Sequence, residues 1–333
     1  MKSSLFVQKH FPIRLAQCIK RSLVTAVLLA CVVAAGNIYA QEVPVATWYC
    51  GIKLTVSGTY NMTNDITCPN GGLKIGIEVV APNVTLNLQG HSITGPYSTQ
   101  FINYGLYVRQ VNVAIKGPGS IKGFYYGITL LGYDTISHVQ LESNSAAIYG
   151  QLGANEIFYN TVRQGVGGGT GIAAYQANNQ IVGNMITGTD YGIYVDGDRA
   201  VVTANSLSGN KYALFVRGAS MTITGNDVSS NSRVAAAIYG SGTIRDNHFN
   251  ANSPVGLQVV GGGFVIQNNT ADNNTLYGIS CVHLSNSTIA SNTAIGNGEL
   301  DLQWDGYGTG NTWSNNNCDT WSVNMGDRPC VSP

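Results

Sequence analysis

The sequence has little charge, little proline and no excess of helix-forming residues. Only 10% of the 333 residues are charged and only 9 are proline. Hydrophobic residues make up 44%, which excludes a disordered chain, because such chains are apolar-poor and charge-rich. The 41 glycines exclude coiled coils and helical bundles, which depend on Ala, Glu, Lys and Leu. The composition therefore favours a fold of strands and turns.

Negative charge is missing from the first forty residues, which contain five basic residues, Lys2, Lys9, Arg14, Lys20 and Arg21. Residues 41–333 then carry 12 basic against 17 acidic residues. Nucleic-acid binding needs clustered cations that neutralise phosphates, and the twelve basic residues are scattered. We expect no nucleic-acid partner.

The basic stretch is followed by the apolar run SLVTAVLLACVVAAG and then by small residues up to Ala40. This order is typical of a secretory signal peptide, residues 1–40, with cleavage after Ala40. The run is shorter than the roughly 20 residues that cross a bilayer, so no membrane span is expected in the mature chain. We predict a secreted or periplasmic protein. The alternative is a lipid anchor at Cys31, since Leu28-Leu29-Ala30-Cys31 resembles a bacterial lipobox.

Five cysteines lie beyond the predicted leader, and export permits disulfides. Cys50 and Cys68 precede the repetitive region described below, and Cys318 and Cys330 follow it. Each pair is predicted to form a local disulfide. Cys281 falls on an apolar repeat position and is predicted to be a buried free thiol. The absence of CxxC motifs and His/Cys clusters weighs against a zinc site.

An internal repeat dominates the rest of the sequence. Six-residue units such as GLYVRQ and GIYVDG recur every 19 to 24 residues, with a mean of about 22. In this alignment the second position is always Leu or Ile, and apolar and mixed positions alternate as in a strand. The ten units begin at Gly105, Gly127, Ala147, Gly171, Gly192, Ala213, Ala237, Gly256, Gly278 and Asp301.

A series of asparagines runs in phase with the repeat, and several members are followed by another asparagine five residues later, as in Asn205 and Asn210. Asparagine tolerates left-handed backbone conformations, and its amide can bond a like amide one repeat away. The series is therefore predicted to form a corner. Its members are Asn160, Asn184, Asn205, Asn226, Asn247, Asn269, Asn292 and Asn316.

Each repeat is interpreted as one coil of a parallel β-helix with two or three short strands per coil. A leucine-rich repeat has a similar period, but it needs an LxxLxLxxN frame that the units lack. The expected fold is all-β, a single-stranded parallel β-helix of about ten or more coils with disulfide-stapled ends. The predicted divisions are an N-terminal cap at 41–73, the β-helix at 74–317 and a C-terminal cap at 318–333.

The segments ANEIFYNTVRQG, NNQIVGNMITGT, SMTITGNDVSSN, VAPNVTLNLQGHSITG and GTGNTWSNNNC resemble secreted right-handed parallel β-helix repeat proteins of the pectate-lyase-like superfamily. The resemblance extends from about Cys50 to Cys330. It implies a right-handed solenoid, but not one activity, because the superfamily includes lyases, epimerases, hydrolases, esterases and proteins of no known activity. The signatures of polygalacturonase-like hydrolases and of alginate epimerases do not appear at strand ends.

Outward positions of the first strand are candidates for ligand binding. Aromatic rings stack on pyranose faces and polar tips bind hydroxyls, so a row of both types suits an extended polysaccharide. The alternative is that the rings stabilise the sheet surface by pairing with one another. The predicted substrate-binding residues are Tyr107, Arg109, Tyr149, Tyr175, Tyr194, Phe215 and Tyr239.

Asp196, Asp198 and Arg217 are the predicted catalytic residues. Asp196 and Asp198 could serve as the two carboxylates of a hydrolase. A lyase or epimerase of a uronate needs a cation, for which Arg217 is the candidate, and a base, for which Tyr175 or Tyr194 is available. The alternative is an exposed ion pair between Asp196 and Arg217 beside a turn.

Other polar residues give weaker predictions. His91 is expected to have a structural role, whereas His283 lies near the outer groove and is a candidate for testing. Asp301 and Asp305 are candidates for a calcium site, and no other cofactor is expected.

Two functions remain open from the sequence. The first is a polysaccharide lyase or epimerase, and the second is a non-catalytic surface or adhesive protein that binds glycan or protein. The near-constant repeat length predicts shallow groove walls, which favours binding or an open-ended site.

Overall fold

Short strands account for nearly all regular structure in a computed structural model of the chain. The structure describes residues 41–97, 101–164, 168–325 and 329–331. The predicted signal peptide, including Cys31, lies outside these residues. In the described part, the only helical element is one 3₁₀ turn, Val323–Met325, and no helix there has the length and apolar character needed to cross a membrane.

Each coil contributes up to three strands, and strands in the same position of successive coils pair in parallel. The twelve first strands form one continuous stack, called here the first-strand sheet. Eight of them are separate strands, and four continue into the first corner, which lies between the first and second strands of a coil. The separate first strands are Ile52–Leu54, Ile75–Val79, Tyr104–Val108, Tyr126–Leu130, Ala146–Gly150, Thr170–Tyr175, Tyr191–Asp196 and Leu300–Trp304. The continuing strands are Tyr212–Thr224, Ala236–Arg245, Val255–Gln267 and Tyr277–Ser285.

The second and third strands are shorter and form the other two sides of the coil. The separate second strands are Gly58–Asn61, Val84–Asn87, Ala114–Lys116, Thr135–Ser137, Glu156–Phe158, Gln180–Val182, Val201–Thr203, Thr288–Ala290 and Thr312–Ser314. In three further coils the second strand is the end of a continuing strand. The third strands are Ile66–Thr67, Ser92–Thr94, Ser120–Lys122, Gln140–Glu142, Thr161–Arg163, Met185–Thr187, Ser206–Ser208, Asp227–Val228, Thr293–Ala294 and Asn317–Cys318. This architecture confirms the parallel β-helix. Its first coil begins at Ile52, inside the segment that the sequence assigned to a cap.

Aliphatic side chains fill the interior of the solenoid in vertical columns. Ile128, Ile148, Ile172 and Ile193 occupy the same position in four successive coils and are completely buried. Burying such a side chain stabilises the fold by about 1.5–3 kcal/mol, but only when the neighbouring coils cover it. The core is therefore a property of the stack and not of any single coil.

The predicted asparagine series is a continuous buried ladder at the corner between the second and third strands. From Asn160 to Asn316, each Nδ2 donates to Oδ1 of the next asparagine at 2.9–3.0 Å. The same Oδ1 also accepts the backbone N–H of the preceding member. The corner prediction is confirmed.

The left-handed backbone conformation lies one residue before each ladder asparagine, not on the asparagine itself. Ala204 and Asp246, for example, have φ values of 55° and 57°. The ladder asparagine must point inward to reach its neighbours, so the preceding residue makes the turn. A second series, one corner later, links Asn210, Asn231, Asn252, Asn274 and Asn297 through their amide oxygens.

The cysteine predictions are confirmed. Cys50 bonds to Cys68 and Cys318 bonds to Cys330, and Cys281 is a buried free thiol. Burial raises the pKa of the Cys281 thiol above its ordinary value, so the sulfur stays protonated and behaves as an apolar core group.

One register in the repeat alignment was wrong. Phe215 pairs with Ala237 and Arg217 pairs with Tyr239, so Ala235 rather than Ala237 begins that unit. The segment around Ala237 contains three consecutive alanines, and a shift of two residues keeps the in-and-out alternation, so the pattern allowed both alignments. Tyr239 still faces outward, but it lies in the column of Arg217.

Replacing Asn226 by alanine should destabilise the solenoid. Its Nδ2 donates to Asn247 Oδ1 and to two backbone carbonyls, and its Oδ1 accepts two N–H groups from Asn205. Leaving these buried groups unpaired should lower the free energy of unfolding by about 3 kcal/mol. Urea denaturation measures the loss. The control is Asn70→Ala, because Asn70 is an exposed asparagine. Equal losses in the two variants would contradict a structural role for the ladder.

Asp134 is a completely buried carboxyl at the first corner. Its Oδ1 accepts the Val113 N–H at 2.9 Å, and its Oδ2 accepts the N–H groups of Leu131 and Gly132 at 3.1 and 3.0 Å. Burial raises the pKa of Asp134 from 3.8 to about 6, because it disfavours the charged form more than the three donors favour it. The folded chain therefore binds this proton more tightly than the unfolded chain does.

The Asp134 carboxyl should make the protein less stable as the pH rises. A carboxyl whose pKa is higher in the folded chain contributes stability below its unfolded pKa, and this contribution disappears as the pH rises through about 4 to about 6. Between pH 4 and pH 7 the wild type should lose about 2 kcal/mol relative to an Asp134→Asn variant. Urea unfolding of both proteins at the two pH values tests this, and a pH-independent difference would refute it.

Candidate functional site

Aromatic side chains cover the outer side of the first-strand sheet over seven coils. We call this surface the aromatic face. Some rings occupy the third or fifth positions of the repeat, and others begin a strand or lie just before it. The aromatic face consists of Tyr104, Tyr107, Tyr125, Tyr126, Tyr149, Tyr175, Tyr191, Tyr194, Tyr212, Phe215 and Tyr239.

Eight of these rings form one continuous series of contacts. Neighbouring ring centroids are 4.6–5.8 Å apart along the whole series. The series includes all six aromatic residues that the sequence predicted for substrate binding. In order it runs Tyr107, Tyr104, Tyr126, Tyr149, Tyr175, Tyr194, Phe215 and Tyr239.

Sequence reasoning missed the rings that lie at the beginning of a strand. Tyr104, Tyr126 and Tyr191 each precede the glycine that starts a repeat unit, where the period of two is broken. The recurrence of the dipeptide Tyr-Gly at these places is the signal that could have identified them.

The rings are not equally available to a ligand. Tyr194 and Phe215 are parallel within 3°, and Tyr104 and Tyr126 within 19°. Stacked rings cover one another's faces, so these pairs stabilise the sheet surface, as the alternative interpretation expected. A sugar ring could not lie on a face that is already covered.

The stacking is interrupted where the third position of the repeat is small. Thr129 and Ala173 occupy it in the coils on either side of Tyr149. Tyr149 makes angles of 51° and 54° with Tyr126 and Tyr175, in contrast to the stacked pairs Tyr104–Tyr126 and Tyr194–Phe215. Missing rings and tilted neighbours leave open space around Tyr149.

Two pockets open at this interruption, and they share Tyr126, Tyr149 and Tyr175. The larger one has a volume of about 440 Å³ and the smaller one about 200 Å³. The larger pocket is also lined by Tyr104, Thr129, Gln151 and Gln176. The smaller pocket is also lined by Tyr125, Ser145, Ala146, Thr170 and Ala173.

The lining supplies neutral hydrogen-bonding groups. Gln151 and Gln176 are exposed at the rim of the larger pocket, and their amides both donate and accept. Partial burial raises the pKa of Tyr126 and Tyr175 above the ordinary value for tyrosine. Their hydroxyls therefore stay protonated at neutral pH and can donate hydrogen bonds to a ligand.

The three predicted catalytic residues lie together beyond Tyr175. Asp196 is paired in register with both Tyr175 and Arg217. The Arg217 guanidinium makes a two-point contact with the Asp196 carboxylate, with Nε 3.1 Å from Oδ1, and this contact raises the pKa of Arg217. Asp198 instead accepts the Ala219 backbone N–H at 2.7 Å. The two carboxylates thus have different partners: Asp196 is bound by the Arg217 guanidinium, and Asp198 by a backbone N–H group.

Arg109 lies at the opposite end of the aromatic face. Its guanidinium is over the Tyr107 ring, 5.8 Å from the centroid. Its Nη1 also donates to Glu78 Oε1 at 3.0 Å, and Lys53 Nζ lies 2.8 Å from the other oxygen of Glu78. The two cations hold the pKa of the buried Glu78 carboxyl below its usual value.

The remaining candidates are engaged in local structure. His91 contacts the Asp65 carboxylate at 3.3 Å, consistent with the structural role expected of it. His283 contacts Asp305 at 3.2 Å and stacks on Tyr307, far along the solenoid from the pockets. Within the described residues, no group of three or more His, Cys, Asp or Glu side chains could hold a metal ion.

The carboxylate of Asp301, a candidate calcium ligand, is occupied by protein donors. Oδ1 accepts from the backbone and side chain of Asn297, and Oδ2 accepts from Asp319 and from the backbone and hydroxyl of Thr320. Asp301 therefore closes the C-terminal coil by hydrogen bonding.

Comparisons with known proteins agree with this architecture. The family described as right handed beta helix region matches residues 126–264 and 170–320, which together cover more than half of the chain. No curated protein matches the sequence.

Solved structures with a similar fold include the periplasmic alginate epimerase AlgG, with a TM-score of 0.52 and 14% identity over 80% of this chain and 76% of that one. They also include the A-module of the Azotobacter vinelandii mannuronan C-5 epimerase AlgE4, with a TM-score of 0.51 and 14% identity over 90% and 92% of the two chains. At this identity the likeness concerns the fold alone.

Proposed function

The chain belongs to the right-handed β-helix family, and we propose that it binds an extended polysaccharide in the two pockets around Tyr149. The observation that carries this proposal is the presence of Thr129 and Ala173, in place of rings, at the third position in the coils on either side of Tyr149. There the Tyr149 ring is tilted against both neighbouring rings and the surface opens, whereas Tyr194 and Phe215 stack and cover each other.

The chemistry of the pockets suits a carbohydrate. Tyrosine rings offer apolar surface for the C–H face of a sugar, and the tyrosine hydroxyls and glutamine amides can bond its hydroxyl groups. The volume of the larger pocket lies within the range of small-molecule sites, about 300–1,000 Å³. Both pockets share three tyrosines, so neighbouring sugar units of one chain could occupy them together.

The solenoid also favours an extended ligand. Successive coils are spaced by about 4.8 Å, and they repeat the same outward positions along one line. Two solved structures that share the fold are alginate epimerases, and alginate is itself an extended polysaccharide. This supports the class of ligand, whereas the position of the site rests on this chain's own tyrosines.

Binding without chemical modification is the function that the geometry favours. A uronate lyase or epimerase needs a cation free to bind the substrate carboxylate. Arg217, the predicted cation, makes a two-point contact with Asp196, and Asp198 is held by the Ala219 N–H. We therefore assign Asp196, Asp198 and Arg217 to the border of the binding face, and propose an adhesive or surface role for the protein.

We further propose that the protein works outside the cytoplasm. Disulfides are present near both ends of the described solenoid, and disulfides persist in oxidising compartments. Polysaccharides of cell surfaces and of the surroundings are accessible there.

Replacing Tyr149 by alanine should weaken glycan binding at least about tenfold, because Tyr149 lines both pockets. The measurement is retention on a panel of immobilised polysaccharides. Tyr49→Ala is the control, since Tyr49 is an exposed tyrosine outside the aromatic face. Phe215→Ala and Tyr194→Ala should have smaller effects, because their rings are stacked. If Tyr149→Ala binds every polysaccharide as the wild type does, the proposed site is wrong.

The purified protein should leave uronate polymers chemically unchanged. After incubation with pectate, alginate and glycosaminoglycans, ultraviolet absorbance reports unsaturated products, and NMR reports epimerised sugar units. We expect neither, because Arg217 is engaged by Asp196. Product that forms with the wild type and disappears with Asp196→Asn would instead establish the catalytic assignment.

A further inference from the structure

The two pockets around Tyr149 are uncharged. Among the described residues that line them, every side chain is a tyrosine, threonine, serine, alanine or glutamine. The hydroxyls of Tyr126 and Tyr175 stay protonated at neutral pH for the reason given above. A ligand in these pockets therefore meets dipoles and ring surfaces, and no formal charge from the lining.

Charged residues elsewhere on this side of the solenoid are engaged in ion pairs, and one positive charge remains in excess where two cations share Glu78. Towards one end of the face, Glu78 is shared by Lys53 and Arg109. At the strand beginnings, Lys211 Nζ is 2.6 Å from Asp190 Oδ1.

The charged residue in register with the lining of the larger pocket is the acidic member of an ion pair. Asp196 is the register partner of Tyr175, a lining residue, whereas Arg217 is one coil further away. The Asp196 carboxylate contributes to the raised pKa of Tyr175, so its field reaches the pocket. A uronate carboxylate placed there would lose hydration, and the lining of the pockets offers it no cation in return. The excess of acidic over basic residues in 41–333 would also oppose the approach of a polyanion.

A sugar unit without a carboxylate meets none of these penalties. Its hydroxyl groups both donate and accept, as the tyrosine hydroxyls and the amides of Gln151 and Gln176 do. From these contacts and charges we infer that the pockets bind a neutral polysaccharide and discriminate against polyuronates. This inference rests on the proposed function and specifies its ligand class.

A pair of polymers with one backbone and different charge tests the inference. Retention of the full chain is measured on polygalacturonate and on its fully methyl-esterified form, beside neutral polymers such as dextran, mannan, xylan and galactan, and the acidic polymers alginate and hyaluronan. We expect the strongest retention on a neutral or esterified polymer, with acidic polymers at least about tenfold weaker. Retention should also be insensitive to salt, because no ion pair forms.

The outcomes separate this inference from the proposal on which it depends. Stronger, salt-sensitive retention on acidic polymers that Tyr149→Ala abolishes would overturn the neutral ligand and leave the binding face standing. Retention on none of the polymers would overturn the binding face itself, and the neutral ligand with it.

Two variants of Gln151 provide a matched control on the protein side. Gln151 is exposed at the pocket rim, so Gln151→Lys and Gln151→Glu add opposite charges at one place without disturbing the core. With a neutral ligand, the two variants should bind within about threefold of each other. If Gln151→Lys binds at least about tenfold more tightly than Gln151→Glu, the ligand is acidic and the inference is wrong.

Discussion

The vertical registry of successive coils is the constraint on which the rest of this structure depends. A coil of about 22 residues cannot enclose a core, so each isoleucine column requires the coil above and the coil below. Backbone pairing fixes the spacing, and the asparagine ladder fixes the corner, since each amide oxygen serves the backbone and the side chain of the preceding coil. A residue's function is then decided by its place in the repeat, because the same place recurs on the same side of the molecule.

The aromatic face follows from this registry, but the site does not follow from the aromatic residues alone. Rings at equivalent positions of adjacent coils are one strand spacing apart, which is close to a stacking distance, and pairs such as Tyr194 and Phe215 stack. A perfect series would bury the ring faces against each other. The site that we propose lies where Thr129 and Ala173 replace rings, because a missing ring leaves space beside the rings that remain.

Much of the fold could be predicted from the sequence, because residues that stack on one another in successive coils recur at a nearly constant interval along the chain. The ladder from Asn160 to Asn316 was identified residue by residue, as were both disulfides. The errors came where periodicity is ambiguous or broken. Three alanines around Ala237 allow a shift of two residues, and Tyr104 and Tyr126 precede a glycine at which the alternation stops.

The candidate site was harder to predict than the fold, since it depends on small residues and on ring angles. Thr129 and Ala173 were visible in the third column only as departures from the aromatic pattern, with nothing in the sequence to show that such departures make space. The contact between Asp196 and Arg217 was anticipated from registry. Only the side-chain geometry shows that Asp196 binds the Arg217 guanidinium at two points and so engages the predicted cation.

The asparagine ladder also bears on how the molecule can change in length. Every amide in it donates in the same direction, so each coil offers an acceptor to the coil before it and a donor to the coil after it. If one whole coil is lost or duplicated, each ladder asparagine still meets an asparagine in the next coil, and the amide hydrogen bonds are kept. If part of a coil is lost or duplicated, a ladder Nδ2 no longer faces an asparagine Oδ1. The ladder is thus compatible with changes of whole coils, and exchanging single coils would move or copy the open surface around Tyr149 along the solenoid.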